Sequence, residues 1–232
     1  MQIFSVICTR DRKLPPITKA LVDTLSSFGI VVKILAHQSS IFEAYRKGLE
    51  ACNANDNDII IFCHDDIQIL NDKISFVRAL APCIHADAGI VGPAGTTLLG
   101  EDAIWWKQER WAAGYHRGVV KHISKGQEGH DHLMITPTTY GSHGRVVALD
   151  GLFLAAKKEV WTKIGLAKPT YFKGLWDFYD IHYTISAHLH GLKNYTVPVD
   201  IIHHSNGELV GRDSWHDNRE AFIANTKLPI SI

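Results

Sequence analysis

The segment Asp58-Ile59-Ile60-Ile61-Phe62-Cys63-His64-Asp65-Asp66 ends an apolar run in an imidazole and two carboxylates. Adjacent carboxylates repel each other unless a cation lies between them, and hard divalent cations take oxygen ligands. The chemistry suited to such residues is capture of a divalent metal and, through it, of a phosphorylated ligand. Asp66 is the leading ligand, with Asp65 beside it on the metal or on a ribose. Two other clusters carry similar side chains: Asp177-Phe178-Tyr179-Asp180 opens an apolar-periodic stretch, and His203-His204 closes another. Successive residues of a strand face opposite sides. His203 and His204 therefore do not both reach one ion, and His204, nearer the loop, is favoured. The same alternation puts His64 and Asp66 on one side. The competing account of Asp65-Asp66 is a solvated turn. For Asp177 and Asp180 it is an N-cap and N3 pair favoured by the helix dipole.

These residues need elements to hold them. Four large apolar residues, Ile59 to Phe62, read as a central strand buried on both faces. Ile3–Cys8 reads as a first strand and Ile30–Leu35 as a second. Between them Pro15-Pro16 opens a helix carrying Ile17, Leu21, Leu25 and Phe28, and Gly29 closes it. A second helix follows from Ile41 to Cys52. Alternating strands and helices imply crossover connections and a parallel sheet, the α/β class, in which ligands bind at the carboxyl ends of strands. Residues 95–145 break the pattern. They show little periodicity, hold Trp105, Trp106, Trp111 and several histidines, and are expected to be a loop-rich insertion between an N-terminal half (1–94) and a C-terminal half (146–232). The C-terminal half reads as a strand and Gly turn at 145–156, a helix from Asp177 to Leu189, a last strand from Tyr195 to Ile202, and a helical tail.

Bulk properties narrow the function. The 232 residues suit one α/β domain, and 46% hydrophobic content supplies a core. Lys+Arg and Asp+Glu both number 24, so no electrostatic argument for nucleic acid follows. No 18-residue apolar window is present, so no membrane span is expected. The four cysteines form no C-x-x-C pair, which favours a reduced, cytoplasmic setting. Neither G-x-G-x-x-G nor a P-loop occurs.

Order and context of these clusters resemble the GT-A glycosyltransferases, in the small bacterial family-2-like branch. Ile-Cys-Thr-Arg-Asp-Arg (7–12) is similar to that group's opening strand and loop. Ser39 to Ile67 resembles its Ser…Tyr-Asn-Lys-Gly…Asp-X-Ile-Ile-Phe-X-His-X-Asp-Ile segment, with Arg46 where Asn is usual. Ala88–Thr96, Asp150–Trp161, Phe178–Tyr183 and His203-His204-Ser205 match further segments. The resemblance implies a GT-A fold, with a mostly parallel central sheet flanked by helices. It also implies metal-dependent transfer of a sugar from a nucleoside-diphosphate donor to a glycan, lipid-linked or other hydroxyl acceptor, with inversion. Asp180 matches the base. Asp66 and a late histidine, His203 or His204, match the metal ligands. Thr9, Arg10, Asp11, Ser39 and Asp65 fall on the donor side, and Asp150, Gly151, Trp176 and Asp177 on the acceptor side. Mn2+ or Mg2+ is the implied cation, and Mn2+ better suits a nitrogen ligand. Two departures stand out: Tyr179 where an acid is common, and His182 for a frequent second aspartate. Two rival functions share some of these residues. One is a metal-dependent phosphoester hydrolase. The other is a non-catalytic sugar or nucleotide module in which Trp105, Trp106 and Trp176 stack on the ligand.

Overall fold

Apolar strands and capped helices of the N-terminal half assemble as their sequences dictate. The computed structural model describes residues 1–9, 11, 13–125, 133–204 and 213–232. Ile3–Cys8 (β1) pairs in parallel with both Val31–Leu35 (β2) and Ile59–Cys63 (β3). The first crossover helix, Pro16–Ser27 (α1), starts with Pro at its first position and stops before Gly29, whose φ of +82° suits a residue without Cβ. The second, Ile41–Ala51 (α2), is capped by Ser40, whose hydroxyl accepts from the Glu43 amide at 3.4 Å. Gly48 lets α2 lie against β1. A Cβ there would fall 2.3 Å from Val6 Cγ1.

The chain then builds a second sheet alongside the first. Ile67–Ile69 (β4), Lys73–Ala79 (α3), Ala88–Gly92 (β5), Ala94–Thr96 (β6), Leu98–Leu99 (β7) and Gln108–Ala112 (α4) follow. Next come His116–Lys125 (β8), Leu133–Gly141 (β9), Arg145–Val146 (β10), Ala148–Leu149 (β11), Phe153–Lys157 (β12) and Lys158–Ile164 (α5). Tyr179–Leu189 (α6), Lys193–Thr196 (β13), Ile201–His203 (β14), Asp213–Asn225 (α7) and Ile230–Ser231 (β15) complete the order. The larger sheet runs β10-β13-β5-β12-β3-β1-β2 and is mixed: its core strands β1, β2 and β3 are parallel, while β12 lies antiparallel between β3 and β5. The second sheet runs β11-β6-β8-β14-β4, with β9 paired to β8. The core gathers around β3 and β12, where Phe62, Phe153 and Trp161 are fully buried.

Two sequence expectations need correction. Residues 95–145 are not loop-rich, because β8 and β9 are ten and nine residues long and pair with each other. Pro137 within β9 and Gly118 within β8 hide them. The proline is accommodated because β9 pairs only with β8 among the described strands. Gly118 has φ of +92°, and a Cβ there would meet the Pro93 carbonyl. The expected strand from Tyr195 to Ile202 is two strands in different sheets. β13 belongs to the larger sheet and β14 to the second. Pro198 lies between them, where a residue without N–H interrupts a ladder. The chain passes between the two sheets repeatedly, and the crossings at 63–67 and at 196–201 both carry polar residues.

Candidate functional site

The crossings at 63–67 and 196–201 meet where β14 pairs with β4. β3 ends at Cys63 and β4 begins at Ile67, so His64, Asp65 and Asp66 occupy the step between sheets. β14 pairs antiparallel with β4, with His203 opposite Ile67. His203 Nε2 lies 3.3 Å and His64 Nδ1 3.8 Å from Asp66 Oδ1. One donor atom from each of these three side chains lies within 4.8 Å of the other two. Burial raises the Asp66 pKa, but His203 and His64 outweigh it and leave it below the usual carboxylate value. The His203 pKa is pulled down by burial and then raised above its ordinary value by Asp66. That of His64 is lowered by burial and by His203. Even so, Asp66 Oδ1 is buried and accepts no well-directed hydrogen bond from the described residues. An orphaned carboxylate oxygen facing two imidazoles fits a borderline divalent cation.

His204 does not join the group. Strand alternation turns it away from Asp66, leaving it exposed, with its ring 3.4 Å from Gln68 Oε1 and its amide donating to the Asp66 carbonyl at 2.8 Å. The preference for His204 therefore gives way to His203, because β14 extends one residue further than expected. His64 is the ligand-type residue that sequence reasoning set on the right side but did not select. The His-x-Asp spacing was its signal.

Asp180 lies across the same cleft of about 710 Å3, a size suited to small-molecule sites. It is the second residue of α6, with its Oδ1 accepting from the Ile181 amide at 2.9 Å. Burial, and then Asp150 nearby, push its pKa up to about 7. A carboxylate in this state is poised to take a proton near neutrality. The N-cap account of Asp177 is not realised: Phe178, with φ of +67°, precedes the helix, and Asp177 Oδ2 accepts from Ser214 Oγ at 2.6 Å. Asp177 thereby tethers α7, although it also lines the cleft.

Gly151 explains how Asp180 comes so close to the sheet. A Cβ at 151 would fall 2.4 Å from the Tyr179 hydroxyl and 2.8 Å from Asp180 Cβ. We expect Gly151→Ala to cost about 1–3 kcal/mol through overpacking, measured by urea denaturation. A change below about 0.5 kcal/mol would mean that α6 is free to shift.

The remaining predicted residues divide. Asp11, Asp65, Asp150, Gly151 and Trp176 line the cleft. Thr9 is buried beneath it, and its Oγ1 accepts from the Asp11 amide at 3.1 Å, so it shapes the loop. Ser39 is exposed and is not a wall of the cleft; the loop turns it outward while Ser40 caps α2. Arg10, and Ser205 of the matched motif, lie outside the described residues. Trp106 and Trp111 are partly exposed and line the cleft with Tyr140 and Trp215, whereas Trp105 is buried. His182 packs on Phe172 and Tyr183.

A model of a glycosyltransferase-like family matches residues 23–225. The chain belongs to this glycosyltransferase-like family. Among solved structures, GalNAc-T7 with UDP, GalNAc and Mn2+ is similar over 96% of this chain, at 11% identity and a TM-score of 0.56. Only 48% of the GalNAc-T7 chain is covered, so the glycosyltransferase-like chain spans about half that protein's length. The fold is thus the α/β GT-A type. The structure of A197 from STIV aligns at 14% identity over 84% of this chain and 81% of its own, with a TM-score of 0.46. No curated protein matches the sequence. No helix among the described residues is long and apolar enough to cross a membrane, and all four cysteines are buried.

Proposed function

We propose that this glycosyltransferase-like protein transfers a sugar from a nucleoside-diphosphate donor to a hydroxyl acceptor, with inversion and with a divalent cation. The observation that carries the reading is the meeting of His64, Asp66 and His203 in one cleft with Asp180, although 139 positions separate the first from the last of that trio in the chain (203 minus 64).

Asp66, His203 and His64 would hold the cation, and Mn2+ suits two imidazoles and a carboxylate better than Mg2+. Bound there, it would stabilise as a Lewis acid the charge that builds on a departing diphosphate. Asp11 and Asp65 lie on the donor side of the cleft, where carboxylates accept hydrogen bonds from ribose hydroxyls. Asp180 takes the proton of the acceptor hydroxyl as that oxygen attacks the anomeric carbon. Its raised pKa makes it a stronger base than an ordinary carboxylate. Asp150 and Trp176 flank it on the acceptor side, and the partly exposed Trp106 and Trp111 offer apolar ring faces to a glycan. In GalNAc-T7 a similar fold holds UDP, GalNAc and Mn2+, which supports a nucleotide-sugar donor here.

A thermal-shift screen of UDP-, GDP-, CDP- and dTDP-sugars, with and without Mn2+, tests the proposal. Ligands of the native state stabilise it by mass action, by about 2.7 kcal/mol at a hundredfold excess over Kd. The expected result is a melting shift that requires both Mn2+ and one nucleotide. Shifts indifferent to Mn2+, or absent with every nucleotide, would refute it.

A further inference from the structure

Tyr179 occupies the place where the family resemblance leads one to expect an acid, directly before Asp180. Its ring is buried against Tyr45 and Phe42, at centroid distances of 5.7 and 6.4 Å. Its hydroxyl reaches out of that packing to two partners. It donates to the Gly151 carbonyl at 3.0 Å, and it lies 2.6 Å from His64 Nε2. A phenol has one proton, and a carbonyl oxygen can only accept. With that proton on Gly151, the His64 contact is made by an Nε2–H donating to the phenol oxygen. Neutral His64 then carries its proton on Nε2 and a free lone pair on Nδ1, the atom that faces Asp66 at 3.8 Å. An imidazole binds a metal only through an unprotonated nitrogen, and the partner of its other nitrogen fixes which one that is.

We propose that Tyr179 is a positioning residue that locks His64 in the Nε2–H tautomer and aims Nδ1 at the ion held with Asp66 and His203, thereby coupling the metal cluster to the helix of the base. The coupling is covalent on one side, because Tyr179 and Asp180 are adjacent in the first turn of α6. On the other side it passes through the Gly151 backbone, which accepts from Tyr179 and leaves room for Asp180. A displacement of α6 therefore moves the base and the support of a metal ligand together. An acidic side chain at 179, being an acceptor only when ionised, would hold His64 but could not also donate to Gly151. The phenol does both. This inference rests on the metal-site reading above for its consequence, though not for the tautomer itself.

The test uses Tyr179→Phe in the full chain, which keeps the ring and removes one oxygen. Mn2+ affinity is measured by electron paramagnetic resonance of free Mn2+, with no nucleotide present. The tautomer of His64 is read from long-range 1H–15N spectra of the metal-free protein. Expected results are an Nε2–H pattern for His64 in the wild type, its loss or mixing in Y179F, and Mn2+ binding weakened about 10–100-fold, the usual effect of removing a histidine's supporting partner. A wild-type His64 protonated on Nδ1, or a Y179F protein with an unchanged tautomer and affinity within about twofold, would overturn the proposal. If the wild type binds no Mn2+, the metal reading and the role assigned to Tyr179 at the ion both fall, while the spectra still decide the hydrogen bond.

Discussion

Asp180→Asn is expected to reduce sugar transfer by about 10²–10⁴-fold, the range lost with a general base, while leaving the donor- and Mn2+-dependent melting shift intact. Asn keeps the volume and can still accept from the Ile181 amide, so binding and chemistry separate. The pH dependence carries a second signature. Because burial and Asp150 lift the Asp180 pKa from 3.8 to about 7, transfer rises with pH through about 7 as the base form fills. Asp150→Asn removes the neighbouring charge and moves that limb to lower pH; burial alone then holds the pKa up. Stability follows the opposite sign. The folded pKa lies above the unfolded one, so the folded state binds more protons between these values and loses relative stability as pH rises from 3.8 to about 7. Above that window D180N should melt higher than the wild type, by at least about 2 °C for each kcal/mol recovered. An equal melting temperature at pH 8, with transfer retained, would remove Asp180 from the base role.

Asp66→Asn should weaken Mn2+ binding by more than the about 10–100-fold that loss of a supporting partner costs, and transfer should fall with it. His203→Ala should behave like D66N, whereas His204→Ala should stay within about twofold of wild type, as for a surface change. Isothermal titration with Mn2+ ranks the three. A His204 variant as damaged as His203 would return the ligand role to the outward residue. Without metal the pair has its own pH signature. The Asp66 pKa is lowered and that of His203 raised. The stability from Asp66 is present above its unfolded pKa and lost as pH falls through the lower folded value. The stability from His203 is present below its unfolded pKa and lost as pH rises through the higher folded value. In chelator, D66N should remove the Asp66 slope and the stability that His203 draws from Asp66, leaving burial to hold the His203 pKa down.

What the sequence disclosed, and what it hid, follows from how local each determinant is. The strand from Ile59 to Cys63 was legible because a double-buried strand needs a continuous apolar run, and the carboxylates after it could only stand at its carboxyl end. Pro16 and Gly29 marked helix boundaries through their own backbone chemistry. β8 and β9 were hidden because Gly118 and Pro137 are ordinarily signs of a break, and only the pairing of the two segments overrides them. The choice between His203 and His204 turned on register. β14 changes sheets after Pro198 and takes its phase from Ile67 and Gln68 of β4, far away in the chain. His64 was visible as a ligand type, but its link to Tyr179 spans 115 positions, and no pattern within either segment announces it.

The passage of the chain between sheets has a mechanical consequence. His64 and Asp180 are anchored to the larger sheet through β3, Gly151 and α6, while Asp66 and His203 border β4 and β14 of the second. An ion gripped by His64, Asp66 and His203 would act as a rivet through two layers, each built from strands of both halves of the polypeptide. Loading the catalyst and stiffening the frame would then be a single event, and the seam between the layers would be the place where this molecule opens first when the rivet is withdrawn.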